Sequence, residues 1–294
     1  MFGIARPSRH AFASISLGLA VLSIGSGHAG TQESAAKPKG HVAEVTDKSG
    51  TKLTVYGFSF GYTYGYTRSN CAFSCGASAD AEMRVLPLNE GCGTTMVPLK
   101  EITSISGITS AAYNEPSQAT ITFVDGRQLK AGFGKFDGRT LREVRGQSPF
   151  GPYSLSLDKA AQIVFQPDRN VPPVEEDNWG SAESKATAQV TCPNDAVYSL
   201  SAVAAYYEQD NGRVFTAKTL TVKMGESEIK LEFDRIKAVA RKSGSSTDPK
   251  FVVTTSTGDA VDMTFGRNEF VGGYRDGHFF YADMKDLKGL TVSR

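Results

Sequence analysis

The chain has 294 residues, with 32 Lys and Arg against 31 Asp and Glu for a formal charge of +1. It has no basic run, so it lacks the clustered positive charge that nucleic acid or an anionic membrane surface requires of a main partner. Its length is enough for one large or two ordinary domains.

Arg6 and Arg9 precede an uncharged run from Ala11 to Ile24, followed by small residues up to Ala29. This is the pattern of a secretory signal peptide over 1–29, cleaved after Ala29. The apolar run is shorter than the ~20 residues that cross a bilayer as a helix, and Ser and Gly interrupt it, so the mature chain is expected to carry no integral membrane span. Loss of Arg6 and Arg9 turns the balance from +1 to −1. The expected location is periplasmic or extracellular.

Residues 30–48 are rich in Ala, Lys, Gly, Ser and Thr and read as a flexible leader, with order beginning near Thr51. Tyr56, Phe58, Phe60, Tyr62, Tyr64 and Tyr66 then place an aromatic residue at every second position, with Gly, Ser or Thr between. Period two predicts a single long strand with an aromatic face and a nearly bare face, whose glycines permit close packing or a bulge. Phe58 and Phe60 are expected in the core. Tyr62, Tyr64 and Tyr66 are expected to reach the rim, with their hydroxyls in water, as a candidate binding face.

Cys71, Cys75, Cys92 and Cys192 are an even set in an exported chain, which points to disulfides. A cysteine-bearing loop holds the first three, so one local bridge is expected, and Cys192 either ties the second half to that loop or stays free. Past residue 29 the only histidines are His41 and His278, too few to complete a metal site with these thiols. No metal, haem or other cofactor is expected.

Met96 to Ile105 contains the motif around which the chain is organised, apolar residues three apart at Leu99, Ile102 and Ile105. It recurs as Phe233, Ile236 and Val239, and more loosely as Leu157, Ala160 and Ile163 and as Met284, Leu287 and Leu290. Such spacing predicts a strand running into a single helical turn. Between these motifs lies a hairpin in which Ala119, Ile121 and Phe123 turn through Asp125-Gly126 to Leu129, Ala131 and Phe133. The same order recurs at a constant offset of 132, from Ala119 to Phe251 and from Phe133 to Phe265, with Gly126 falling on Gly258. The stretch from Ala196 to Tyr207 fits a helix or a strand by pattern, and its place in the repeat favours a strand. Two copies are too few for a solenoid.

The expected organisation is therefore a β domain over 49–166 with the cysteine-bearing loop, a Pro-rich acidic linker over 167–186, and a second β domain over 187–294. The linker carries Pro167, Pro172, Pro173 and Trp179, whose ring is a further binding candidate. The fold class is all-β: two tandem, internally duplicated β-sandwich-like or open-barrel domains with short one-turn helices. A transmembrane barrel is disfavoured because one-turn helices between short strands have no place in an up-and-down barrel.

No catalytic motif appears. There is no Gly-x-Ser-x-Gly elbow, no phosphate-binding glycine loop and no calcium loop with its ladder of oxygen ligands. The leading expectation is a non-catalytic exported binding or scaffolding protein of the cell envelope, engaging an envelope protein or glycan. The alternatives are an exported glycan hydrolase using a carboxylate pair, or a structural surface component.

Overall fold

Short runs of alternating apolar residues, punctuated by Asp-Gly, Gly-Glu and similar turn pairs, leave this chain few options besides antiparallel strands. The computed structural model describes residues 40–68, 75–109, 115–136, 139–167, 184–208, 214–244, 249–266 and 269–294. The first half contributes β1 (Val42–Asp47), β2 (Lys52–Arg68), β3 (Cys75–Met83), β4 (Val85–Glu90), β5 (Gly93–Pro98), β6 (Ile102–Thr109), β7 (Ser117–Phe123), β8 (Gln128–Phe133), β9 (Lys135–Phe136), β10 (Arg139–Ser148), β11 (Gly151–Ser156) and β12 (Ala160–Phe165). The second contributes β13 (Thr187–Thr191), β14 (Val197–Glu208), β15 (Val214–Ala217), β16 (Thr219–Met224), β17 (Ser227–Glu232), β18 (Ile236–Gly244), β19 (Pro249–Thr255), β20 (Ala260–Phe265), β21 (Glu269–Arg275), β22 (His278–Asp283) and β23 (Gly289–Ser293).

All pairings among the described residues are antiparallel. In the first half they run in the order β11-β10-β2-β1-β12-β6-β7-β8-β4-β5, with β3 beside the far end of β2. The second half repeats this as β22-β21-β14-β13-β23-β18-β19-β20-β16-β17, with β15 beside β14. The duplication extends to single hydrogen bonds. Phe58 N–H donates to His41 O and Val203 N–H to Ala186 O; Leu99 N–H donates to Arg84 O and Phe233 N–H to Lys218 O; Gly134 N–H donates to Pro87 O and Gly266 N–H to Thr221 O.

Each three-apart motif builds the predicted strand, turn and strand. One-turn 3-10 helices sit at Leu99–Glu101, Leu157–Lys159, Phe233–Arg235 and Met284–Asp286. The first apolar residue opens the turn, the second begins or adjoins the next strand, and the third lies within that strand. All of them are buried. The turn thus changes the chain's direction while keeping three successive anchors in the core.

The aromatic strand differs from expectation at one point. Gly57 adopts a left-handed φ of 60°, and the register of β2 against β10 shifts there. This bulge flips the parity of the strand. Val55 faces the core before it and Phe58, Phe60 and Tyr62 after it, so Tyr56 leaves the aromatic face. The twin position in β14 is Ala202, at φ 51°, also inside a register shift. That bulge interrupts the alternation of the stretch from Ala196 to Tyr207, whose pattern fits a helix as well as a strand. It is a strand.

Three expectations change. Order begins before Thr51, because Ala43 and Val45 of β1 insert into the core between β2 and β12; Glu44 and Asp47 had masked that short alternation. His41, expected in the leader, is buried. The segment expected as a cysteine-bearing loop consists in large part of β3 and β4, with Cys92 in the turn between β4 and β5. Cys71 and Trp179 lie outside the described residues. The backbones of Tyr64, Tyr66 and Cys75 belong to β2 and β3, and their side chains lie outside the described ones.

Two apolar cores result, one under each half, and Ala204, Tyr206, Phe270, Phe279 and Tyr281 of the second half pack into the first. Truncating Leu99, 1% exposed, to Ala is expected to cost about 3 kcal/mol and to lower the melting temperature by about 6–12 °C, as read by circular dichroism. Phe150→Ala, at a residue 90% exposed, is expected to move it by less than about 2 °C.

Candidate functional site

The halves meet edge to edge. Strand β5 pairs with β22 through Met96 with Phe279, Thr95 with Phe280, Thr94 with Tyr281 and Gly93 with Ala282. Gly93 is required at this contact, because a Cβ there would lie 2.1 Å from the Phe280 ring. The turn before β5 is locked covalently to the turn after β13 by a Cys92–Cys192 disulfide, with Cα atoms 5.3 Å apart. Of the two outcomes expected for Cys192, the bridge to the first half is the one realised.

An ion pair and a histidine–carboxylate contact flank the ladder. Arg275 Nη1 donates to Glu90 Oε2 at 2.5 Å, and the same guanidinium lies 4.8 Å from the centre of the Tyr198 ring. His278 Nε2 and Glu101 Oε2 are 2.7 Å apart. Arg275 and Glu90 are both partly shielded from water, which lessens the screening of their attraction. Backbone pairing, disulfide, ring packing and charge therefore act at one place.

Beside this join opens a cleft of about 930 Å³. The first half supplies Asn89, the Gly91-Cys92-Gly93-Thr94 turn and strand, Pro116, Lys135 and Phe136; the second supplies Pro193, Asn194, Arg241, Phe270, Tyr281, Asp283, Lys285 and Asp286. Asn89 holds one wall: its Nδ2 donates to Lys135 O at 2.5 Å, and Lys135 N–H donates to its Oδ1 at 3.1 Å. On the opposite wall Asp283 Oδ1 accepts from Lys285 N–H at 3.0 Å, and its Oδ2 lies 2.9 Å from Lys285 Nζ. Burial pushes the Asp283 carboxyl above its ordinary value, opposed by the bonds from Lys285. The cleft is thus backed by the buried rings of Phe136, Phe270 and Tyr281 and carries cations at Lys135, Arg241 and Lys285 and carboxylates at Asp283 and Asp286.

Of the sequence-nominated residues, Cys92 lines this cleft and Cys192 is buried behind it. Tyr62 is 8% exposed, so it does not present its ring at a rim. It packs edge-on against Phe136 at 5.0 Å and so supports the cleft wall from behind. The bare face of the same strand is filled: a Cβ on Gly61 would lie 2.7 Å from Arg145 Nε, whose guanidinium is held by Glu143. Asn89, Lys135, Phe136, Arg241 and Asp283 escaped sequence reasoning because each is a lone residue without a motif. The one legible signal was the cysteine-bearing loop, of which Cys92 is part. Among the described residues no group of three His, Cys, Asp or Glu is placed to hold a metal ion, and no helix is long and apolar enough to cross a membrane.

Compared with known proteins, the chain has no significant match to a family model, a curated protein or a solved structure.

Two outcomes test the join and its cleft. Gly93→Ala is expected to destabilise by about 1–3 kcal/mol through overpacking on Phe280. In a double-mutant cycle with Phe280→Ala, the combined loss should fall short of the sum of the single losses. Asp283→Asn tests the buried carboxyl. A carboxyl raised by folding favours the folded state when protonated; that contribution is complete below its ordinary value of 3.8 and is lost as pH rises through the folded value. The melting temperature of Asp283→Asn minus that of the wild type is therefore expected to increase from pH 3 to pH 7.

Proposed function

We propose that the protein is a non-catalytic exported binding protein of the cell envelope or exterior, which engages an envelope protein or glycan through the cleft at the join. The observation that carries this reading is the cleft's position between two halves held together by a disulfide and a strand ladder. Its walls are preformed, so little ordering cost falls on the bound state. Its volume lies within the ~300–1,000 Å³ typical of ligand sites, and a seam between packed units is where such sites concentrate. Cations and carboxylates side by side, over a floor backed by the buried Phe136, Phe270 and Tyr281, suit a polar ligand that both donates and accepts hydrogen bonds. The signal-peptide pattern and the disulfide support export.

A second reading has one observation in its favour. Asp283, raised by burial, shares the cleft with Asp286, and glycan hydrolysis employs two carboxylates in one cleft. One screen separates the two readings. The mature chain is titrated with envelope glycan fragments and envelope-derived peptides, and the same mixtures are assayed for turnover. Binding without turnover, weakened at least tenfold by Asn194→Trp at the rim with the melting temperature preserved, is the expected result. Binding indifferent to Asn194→Trp and Lys135→Glu removes the cleft as the site. Turnover abolished by Asp283→Asn makes the protein a hydrolase.

A further inference from the structure

Duplication has left this molecule with a second pair of edges that correspond to the joined ones. Strand β11 is the counterpart of β22, and β17 is the counterpart of β5; among the described residues β11 pairs only with β10 and β17 only with β16. A head-to-tail contact formed once inside the chain can in principle be repeated by setting β17 of one copy on β11 of the next. Such a heterologous contact gives rings or open filaments.

Residue by residue, the features that make the internal join are replaced at the free edges. Phe279, which pairs with Met96, has Pro152 as its counterpart in β11. In the two-residue hairpin closed by Ser148 and Gly151, the backbone of residue 152 faces away from β10, so the missing N–H is one that an added strand would need. Gly93, which admits the Phe280 ring, has Ser227 as its counterpart, and Phe280 has Tyr153. Thr94 and Met96 correspond to Glu228 and Lys230, which put exposed charges along β17.

The covalent lock is replaced too. Cys92 follows Gly91 in its turn as Glu226 follows Gly225, and Cys192 donates its N–H to Ala196 O as Asp47 donates to Thr51 O. Two carboxylates stand where the internal join has its disulfide. The flanking polar contacts have no equivalents either: Met224 and Ser148 stand for Glu90 and Arg275, and Arg235 and Gly151 for Glu101 and His278.

We infer that edges β11 and β17 are closed to a second copy of this chain by Pro152, Ser227 and the facing Asp47 and Glu226, so that head-to-tail addition stops after one join and the protein acts as a single copy. This disfavours the structural surface component, which requires self-assembly.

The test begins with the mature wild type, whose mass by light scattering should stay that of one chain over a hundredfold range of concentration. The opened variant carries Pro152→Phe, Ser227→Gly, Asp47→Cys and Glu226→Cys. On mild oxidation it should give covalently linked oligomers whose bridging peptide joins positions 47 and 226. The two cysteine changes alone should yield at least tenfold less. A wild type that self-associates through β11 and β17, located by cross-linking, overturns the inference. So does an opened variant that folds, by its melt, yet yields no more oligomer than the cysteine pair alone. Should the fourfold variant fail to fold, Pro152→Thr with Ser227→Gly, both at exposed edge positions, is measured by mass against concentration. Association above the wild type sustains the inference, and an unchanged single-chain mass overturns it.

Discussion

The contact of β5 with β22 is the constraint on which the rest depends. Two sheets of the same design meet there along four residue pairs. A short antiparallel ladder is marginal by itself. Here it is supported by a disulfide across 100 residues of sequence, a ring seated over a glycine, and at its flanks the Arg275–Glu90 ion pair and the His278–Glu101 contact. Removing conformational freedom between the halves is what gives the neighbouring cleft fixed walls. The same contact carries aromatic residues of the second half into the first core.

Divergence between the copies follows the demands of that contact. Away from it the halves keep the same strand order, the same 3-10 turns and the same turn hydrogen bonds, because each must bury one sheet face by the same geometry. At it they differ at almost every position. Where an edge must pair, the chain places Gly93, Thr94, Met96, Phe279 and Tyr281; where an edge stays open, it places Ser227, Glu228, Lys230, Pro152 and Ser154. An unpaired edge is a template for another chain, and charge or proline on it blunts that tendency. The cleft lies at the paired edge, so the candidate site and the asymmetry share one location.

Much of the fold was legible because burial imposes a period. The three-apart motifs and the 119–133 hairpin with its repeat at 251–265 announced themselves through regular spacing, and the turns between them through glycine. Strands β1, β10 and β21 were not legible. In β10, Leu141 and Val144 are buried three residues apart because the register shifts between them, which hides the alternation. The Gly57 and Ala202 bulges likewise break a pattern that reads as continuous, and the rim assigned to Tyr62 is in fact the interior support of Phe136.

The sequence by itself determined an all-β, duplicated chain with one-turn helices at fixed places, because those features depend on local periodicity and turn chemistry. It also offered a bridge from Cys192 to the cysteine-bearing loop as one of two outcomes. Only the tertiary structure decided which cysteine meets Cys192, which edge pairs and which stays open, and that Asn89, Lys135, Arg241 and Asp283 share a cleft. These residues stand far apart along the chain, and nothing in local spacing records a contact whose geometry is set by how two sheets abut.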